Sequence, residues 1–149
     1  MYLFRNRLVG AMRIILIAVL VGVTLGCTQE ASEEQVTPMV EEYFAAMQAK
    51  DFDKLLTFYH DDFFNAHPAP EWVDYLKHVR ATLGEIESLK LKQSQVNTVL
   101  TGRRFIYEYS VKYEQGFAKE TVMFFQDIGG TDIKVQMHKI DSRLLSAKK

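Results

Sequence analysis

The hydrophobic pattern of this chain changes its period once, close to Gly84. On the N-terminal side, apolar residues recur at the three- and four-residue spacing of a helix; on the C-terminal side, they recur at every second position, as in a half-buried strand. Helices followed by strands predict an α+β domain in which helices cover one face of an antiparallel sheet. The expected architecture is three N-terminal helices packed on an antiparallel sheet of four strands.

The first helix has two candidate starts. Thr37 can cap a helix with Pro38 in its first turn, where proline is well tolerated. Ser32 can instead cap an earlier helix with Gln35 as its capping-box partner, but Pro38 would then lie inside the helix at a cost in stability. We therefore predict a helix that begins at Thr37 and ends near Lys50.

Two more helices are expected before the sheet. Asp53 can cap a short helix that runs to about Tyr59, and residues 60–70 are predicted to form a loop that ends in two prolines. The third helix carries an apolar stripe with Gly84 as its C-terminal cap. The stripe consists of Trp72, Leu76, Val79 and Leu83.

Four strands separated by short glycine-containing turns predict an antiparallel meander. The strands span about 88–99, 105–113 and 117–126, with a last strand from Ile133. Aromatic residues occupy alternate positions of the second strand, so they share one face. The alternation of the last strand changes parity after Met137, which predicts a β-bulge near His138.

The N-terminal segment has the features of a secretory signal. Arg5, Arg7 and Arg13 precede an apolar run of 12 residues, 14–25, which is shorter than the roughly 20 residues of a spanning helix. The only cysteine of the chain, Cys27, follows directly after Gly26. Residues 27–36 are polar and acidic, and we predict that they form a flexible tether.

The sequence Thr24-Leu25-Gly26-Cys27 resembles the lipobox of bacterial lipoproteins. This resemblance implies cleavage after residue 26 and acylation of Cys27, with palmitate-type chains that hold the protein on a membrane. The expected location is the periplasmic side of the cell envelope. Because Thr28, and not Asp, follows the cysteine, the resemblance favours the outer over the inner membrane.

Composition excludes several classes of protein. A single cysteine excludes an internal disulfide framework and a cysteine-rich zinc site, and a net charge of -1 gives no reason to expect nucleic acid as a partner. The sequence contains no glycine-rich phosphate loop and no nucleophile elbow, so no cofactor is expected. His60, Asp61, Asp62 and His67 match no metal-binding spacing, and no metal is predicted.

Three segments of the chain read EYFAAMQAKDFDKL, EWVDYLKHVRATLG and YSVKYEQGFAKETVMF. Together with the order of helices and strands, they resemble the nuclear transport factor 2-like superfamily, which includes ketosteroid isomerases and SnoaL-like cyclases. The resemblance implies a cystatin-like α+β domain over residues 37–145, in which the helices pack on a curved, cone-like sheet with a ligand pocket at its open end. It indicates the fold and does not select one activity.

The candidate pocket residues come from the aromatic strand, the third helix and the predicted bulge. They are Trp72, Phe105, Tyr107, Tyr109, Tyr113 and His138. Tyrosines with an apolar body and a polar tip suit a small amphipathic ligand, although the same aromatics can simply fill the core. The leading hypothesis is a non-catalytic module that binds such a ligand or an envelope protein.

Two alternatives remain open from the sequence. An isomerase, dehydratase or cyclase would use a pocket tyrosine with an acid from the loops, Asp51, Asp61 or Asp62, because Glu108 and Glu114 lie on the solvent parity of their strand. An interaction scaffold would instead use the sheet face, through Ile106 or Phe124, or would form a homodimer.

Overall fold

A computed structural model of the chain describes residues 31–146. Five helices and four strands are formed there, and the α+β class with helices before an antiparallel sheet is confirmed. The helices are α1 (Glu33–Ala49), α2 (Phe52–Leu56), α3 (Asp61–Ala66), α4 (Ala69–Leu83) and α5 (Arg143–Ser146). The strands are β1 (Ile86–Val99), β2 (Gly102–Tyr113), β3 (Gly116–Asp127) and β4 (Ile133–Asp141).

The sheet is an antiparallel meander with the strand order β1-β2-β3-β4. One face carries the buried alternate residues of β2 and β3, against which the helices pack. Phe124 lies on this inner face and is fully buried, so its predicted role in an exposed face is wrong. Ile106 lies on the outer face and is partly exposed.

Helix α1 begins at Glu33 and not at Thr37. Ser32 is its N-cap, and the Gln35 side chain accepts a hydrogen bond of 2.9 Å from the Ser32 N–H. Pro38 therefore lies inside the helix. The early start is stabilised by burial of Val36, which is fully removed from solvent and contributes about 1.5–3 kcal/mol.

The predicted tether is also shorter than the sequence indicated. Ala31 and Val36 are both buried in the core. Residues 31–36 thus belong to the folded domain, and residues 27–30 lie outside the described part of the chain, together with the predicted signal segment.

An additional helix, α3, replaces most of the predicted loop. His60 is its N-cap, with its Nδ1 atom accepting a hydrogen bond from the Asp62 N–H. Phe63 is buried against Tyr59 and Trp72, with ring centroids 4.4 and 5.1 Å apart. A helix of six residues is too short to show a clear period in the sequence, and it is held by these aromatic contacts.

The cap of α2 also differs from the prediction, because Asp51 and not Asp53 caps this helix.

The bulge in the last strand lies at Gln136, two residues before its predicted position. Met123 pairs with Met137, whereas the next residue, Phe124, pairs with Val135. Because one residue is skipped, Val135 and His138 both point to the inner face.

Within residues 31–146, no helix combines the length and apolar character needed to cross a membrane.

Candidate functional site

A cleft of about 470 Å³ opens between the end of α3, the N-terminal half of α4 and the C-terminal half of β4. We refer to it as the α4–β4 cleft. Its lining combines an aromatic wall with a charged rim. The lining residues are Ala66, His67, Glu71, Trp72, Tyr75, His138, Lys139 and Ile140.

The aromatic wall is built by two residues of α4. Trp72 and Tyr75 are three positions apart, so they lie on the same side of the helix, and their rings stack with centroids 5.2 Å apart. The ring of His67 lies 5.8 Å from Trp72 and extends the wall towards α3. Such a surface offers area to an apolar or aromatic molecule.

A buried polar network lies behind this wall. The His138 Nε2 atom is 3.1 Å from Glu120 Oε2, and the Tyr113 hydroxyl donates a hydrogen bond to Glu120 Oε1. On the other side of the ring, His138 Nδ1 lies 2.7 Å from the Tyr43 hydroxyl and 3.2 Å from the Tyr59 hydroxyl. The two tyrosine hydroxyls are themselves 2.6 Å apart.

The network is closed to solvent. The side chains of His138 and Glu120 have no exposed surface, and both ring nitrogens of His138 contact protein groups. The His138 ring also contacts the Trp72 ring, with centroids 5.6 Å apart. The network therefore supports the cleft wall directly from behind, although none of its polar side-chain atoms is offered to a ligand there.

Strand register explains why these two groups meet. Glu120 of β3 lies opposite Ile140, and His138 of β4 lies opposite Val122, so the pair is a diagonal neighbour pair on the inner face. The bulge at Gln136 sets the parity that turns His138 inwards. Without it, His138 would share the outer face with Met123.

Burial has a large effect on the tyrosines of the network. Removal from water raises the pKa of Tyr43 well above its ordinary value, and the neighbouring Tyr59 and Glu120 raise this pKa further. Burial likewise raises the pKa of Tyr59, and burial together with the Glu120 carboxyl group raises that of Tyr113. All three side chains are therefore neutral hydroxyls at physiological pH.

The six residues predicted to form a pocket are not brought together. Trp72 and His138 line the cleft, and Tyr113 belongs to the network behind it. Phe105 is fully buried in the core. Tyr107 packs near Phe124, and Tyr109 packs on Phe44 with ring centroids 4.5 Å apart. Cys27 lies outside the described residues.

Sequence reasoning missed Glu120, Tyr43, Tyr59 and Tyr75. Glu120 had a detectable signal, because Ala118, Val122 and Phe124 share its parity in β3 and are all buried. The loop acids considered instead lie elsewhere. The Asp51 carboxylate caps α2, and Asp61 and Asp62 occupy the exposed first turn of α3.

The residues of the histidine- and aspartate-rich segment have local structural contacts. His60 caps α3, and the His67 ring packs on Phe63 with centroids 4.8 Å apart. Across residues 31–146, no group of three or more His, Cys, Asp or Glu side chains is arranged to hold a metal ion.

The fold is similar to that of solved structures at low sequence identity. Bd1075 from Bdellovibrio bacteriovorus matches with a TM-score of 0.53 and 16% identity over 74% of this chain, which spans 41% of the length of Bd1075. A candidate dehydratase of the NTF2-like family from Streptomyces avermitilis has a TM-score of 0.48 and 14% identity, over 72% of this chain and 93% of that chain. The first likeness shows the fold alone, and the second is too distant to carry an argument. No protein-family model and no curated protein matches the chain.

Proposed function

We propose that this chain is a lipid-anchored envelope protein with a domain of the nuclear transport factor 2-like type, and that the domain binds a small amphipathic molecule in the α4–β4 cleft without converting it. The observation that carries the proposal is the cleft itself. Its volume of about 470 Å³ falls within the roughly 300–1,000 Å³ of small-molecule sites.

The chemistry of the lining supports an amphipathic ligand. Trp72 and Tyr75 provide a flat apolar wall, and the carboxylate of Glu71 and the ammonium group of Lys139 lie at the rim. A molecule with a ring or short chain and one polar end would place its apolar part on the wall and its polar end between these charges.

Closure of the network favours binding over catalysis. A general acid or base must reach the proton that it transfers. Both ring nitrogens of His138 are instead occupied by Tyr43, Tyr59 and Glu120, and its side chain is removed from solvent. The buried His138 ring therefore supports the wall of the cleft through its contact with Trp72.

The anchor is supported by the sequence, through the lipobox that ends at Cys27. Its test is Cys27→Ser, which removes the thiol that receives the lipid. We expect the variant to leave the membrane fraction and to lack the acyl mass in intact-protein mass spectrometry. Membrane association together with an unchanged acyl mass in the variant would contradict the anchor.

The ligand test uses the single tryptophan of the chain, Trp72, as a reporter in the cleft. The probe is N-phenyl-1-naphthylamine, an apolar fluorophore that accepts excitation energy from tryptophan. We expect saturable quenching of Trp72 emission, with affinity reduced about tenfold in Tyr75→Ala because the stacked wall is lost.

Tyr109→Ala is the matched control, since Tyr109 is also partly buried but packs on Phe44, outside the cleft lining. Its affinity for the probe should be unchanged. Equal affinity in wild type, Tyr75→Ala and Tyr109→Ala would contradict binding in the α4–β4 cleft.

An acid–base enzyme is the second candidate, favoured by the contact of a buried histidine with two tyrosine hydroxyls. It requires the cleft wall to open so that a substrate reaches Tyr59 or His138. The test incubates the natural ligand, identified by native mass spectrometry, with wild type and with His138→Gln. Conversion by wild type that is lost in His138→Gln, with binding retained, would replace the binding proposal by this one.

A further inference from the structure

The first described residues are fixed to one end of the sheet. The Ala31 N–H donates a hydrogen bond of 2.9 Å to Gln126 Oε1, and the Ala31 carbonyl accepts one of 2.8 Å from Arg103 Nη1. The Gln126 amide also donates to the Gly130 carbonyl at 3.0 Å. Ala31, the β1–β2 turn and the β3–β4 turn therefore form one unit, which we refer to as the tether end.

The tether end is close to Cys27 along the chain. Only residues 28–30 separate Cys27 from Ala31. Four fully extended residue steps span at most about 14 Å. If the acyl chains on Cys27 hold it in a bilayer, Ala31 stays within that distance of the membrane surface, and the two turns that are bonded to it lie at the same end of the domain.

Two exposed apolar side chains project from this same end. Leu100 in the β1–β2 turn is 97% exposed, and Ile128 in the β3–β4 turn is 74% exposed. A backbone hydrogen bond of 2.9 Å from the Ile128 N–H to the Thr101 carbonyl joins the two turns. The two side chains thus belong to one connected tip, and they are the two most exposed large apolar residues of the described chain.

We propose that the tether end is a membrane-docking surface, with Leu100 and Ile128 inserted at the interface of the bilayer that carries the acyl anchor. This inference rests on the lipid anchor of the proposed function. Its occupant is a lipid surface because the reach of residues 28–30 places these side chains beside one, where each apolar group removed from water stabilises the contact.

The docked orientation has a consequence for the cleft. His138, at the cleft, lies opposite Val122, four residues along β3 from Gln126 at the tether end. At about 3.3 Å per residue, the cleft therefore lies about 13 Å along β3 from the tether end. Exposed charges at this end have both signs, as with Arg104 and Asp127, so docking depends on apolar contact more than on anionic lipid.

The experiment uses the full-length acylated protein in vesicles of phosphatidylethanolamine and phosphatidylglycerol. Leu100→Cys and Ile128→Cys are labelled with the environment-sensitive fluorophore NBD; the acylated Cys27 has no free thiol and does not compete. Phe117→Cys is the matched control, because Phe117 is 64% exposed and lies at the β2–β3 turn, the opposite end of the sheet.

On reconstitution, we expect a blue shift and at least about a twofold rise in NBD emission at positions 100 and 128, as apolar surroundings replace water. Position 117 should keep the weak, red-shifted emission of an NBD label in water. Brominated lipids should quench the first two labels and leave the third unaffected.

Flotation of the vesicles separates the two levels of the proposal. Labels at 100 and 128 that remain in water while the protein floats with the vesicles would overturn docking and leave the anchor intact. Protein that does not float would overturn both. A shift that grows with the protein-to-lipid ratio would assign the tip to a second copy of the chain, which would also overturn membrane docking.

Discussion

The two ends of the sheet distribute polar and apolar groups in opposite ways. At the cleft, Glu120, His138 and Tyr43 are buried and bond to one another behind an aromatic wall. At the tether end, polar contacts hold the buried Ala31, and the apolar side chains of Leu100 and Ile128 point outwards. Fold stability should therefore depend on the first set of polar groups, whereas the exposed apolar pair of the second contributes little to the folded state.

The buried network is costly to leave incomplete. A buried polar group without a partner loses its hydration and gains nothing in return, whereas a fully paired group is close to neutral. Within the network each ring nitrogen of His138 and each carboxylate oxygen of Glu120 has a partner. This pairing predicts a steep penalty for removal of any single member.

The largest effect is expected for Glu120→Ala. The substitution leaves His138 Nε2 and the Tyr113 hydroxyl without their partner and opens a cavity, which together should lower the free energy of unfolding by about 3–5 kcal/mol. Glu120→Gln retains the shape and part of the hydrogen bonding, so its loss should be smaller. Urea unfolding followed by circular dichroism measures both.

Glu108→Ala is the matched control for this prediction. Glu108 lies on the neighbouring strand, points to the outer face and pairs with Lys119 near the surface. Exposed pairs of this kind contribute about 0–1 kcal/mol. Equal losses for Glu120→Ala and Glu108→Ala would mean that the network does not stabilise the cleft end.

At the tether end, Gln126→Ala is expected to cost about 2 kcal/mol. It removes the acceptor for the buried Ala31 N–H and the donor to the Gly130 carbonyl. The same urea unfolding assay measures the loss. Gln95→Ala is the control, because Gln95 is exposed on β1 and its side-chain amide donates a hydrogen bond to the Asn97 side chain. If Gln126→Ala lowered the free energy of unfolding as much as Glu120→Ala does, the two ends of the sheet would not differ in their contribution to stability.

Alkaline pH should destabilise the folded protein through the buried tyrosines at the cleft end. An unfolded tyrosine ionises near pH 10, whereas the raised pKa values of Tyr43, Tyr59 and Tyr113 keep them protonated in the folded state. Their contribution is fully present below pH 10. Above pH 10 the unfolded state binds fewer protons, so the free energy of unfolding falls by up to about 1.4 kcal/mol per pH unit for each tyrosine.

Tyr43→Phe should reduce this slope by about the contribution of one tyrosine, as measured by urea unfolding between pH 9.5 and 11. Tyr59 remains within hydrogen-bond distance of His138 in this variant. Tyr109→Phe, which changes a partly exposed tyrosine outside the network, should reduce the slope less. Identical slopes in wild type and Tyr43→Phe would show that Tyr43 does not resist ionisation in the folded protein.

The architecture could be predicted because the change of period at Gly84 is carried by many residues at once. The start of α1 could not, because the local cost of Pro38 is outweighed by the burial of Val36, a tertiary effect. Helix α3 was missed for a similar reason, since its six residues depend on the contacts of Phe63 with Tyr59 and Trp72.

The candidate site was only partly accessible from the sequence. The position of Trp72 on a helix stripe and that of His138 near a parity change predict both as pocket residues, and both line the cleft. Tyr43 reaches His138 across 95 positions of sequence, and no local pattern indicates that contact. The alternation of β3 does indicate Glu120, because it shares the parity of the apolar residues Ala118 and Val122.

The smallest effect on stability is expected for the double variant Leu100→Ser with Ile128→Ser. Both side chains are exposed at turns, so the free energy of unfolding in solution should change by less than about 0.5 kcal/mol. Val122→Ala, a fully buried position on β3, is the comparison and should cost more than about 1 kcal/mol in the same urea assay.

The double variant also separates folding from membrane contact at the tether end. If Leu100 and Ile128 act only at the bilayer, the variant should unfold like wild type, while an NBD label introduced by Thr131→Cys in the β3–β4 turn loses its lipid-induced emission change. A large loss of stability in solution would instead place the two side chains in the fold, and the exposed tip would then have to be covered by protein. If the variant has normal stability and the NBD label at position 131 responds to lipid as in wild type, neither side chain inserts into the bilayer. The anchor alone would then keep the tether end near the membrane.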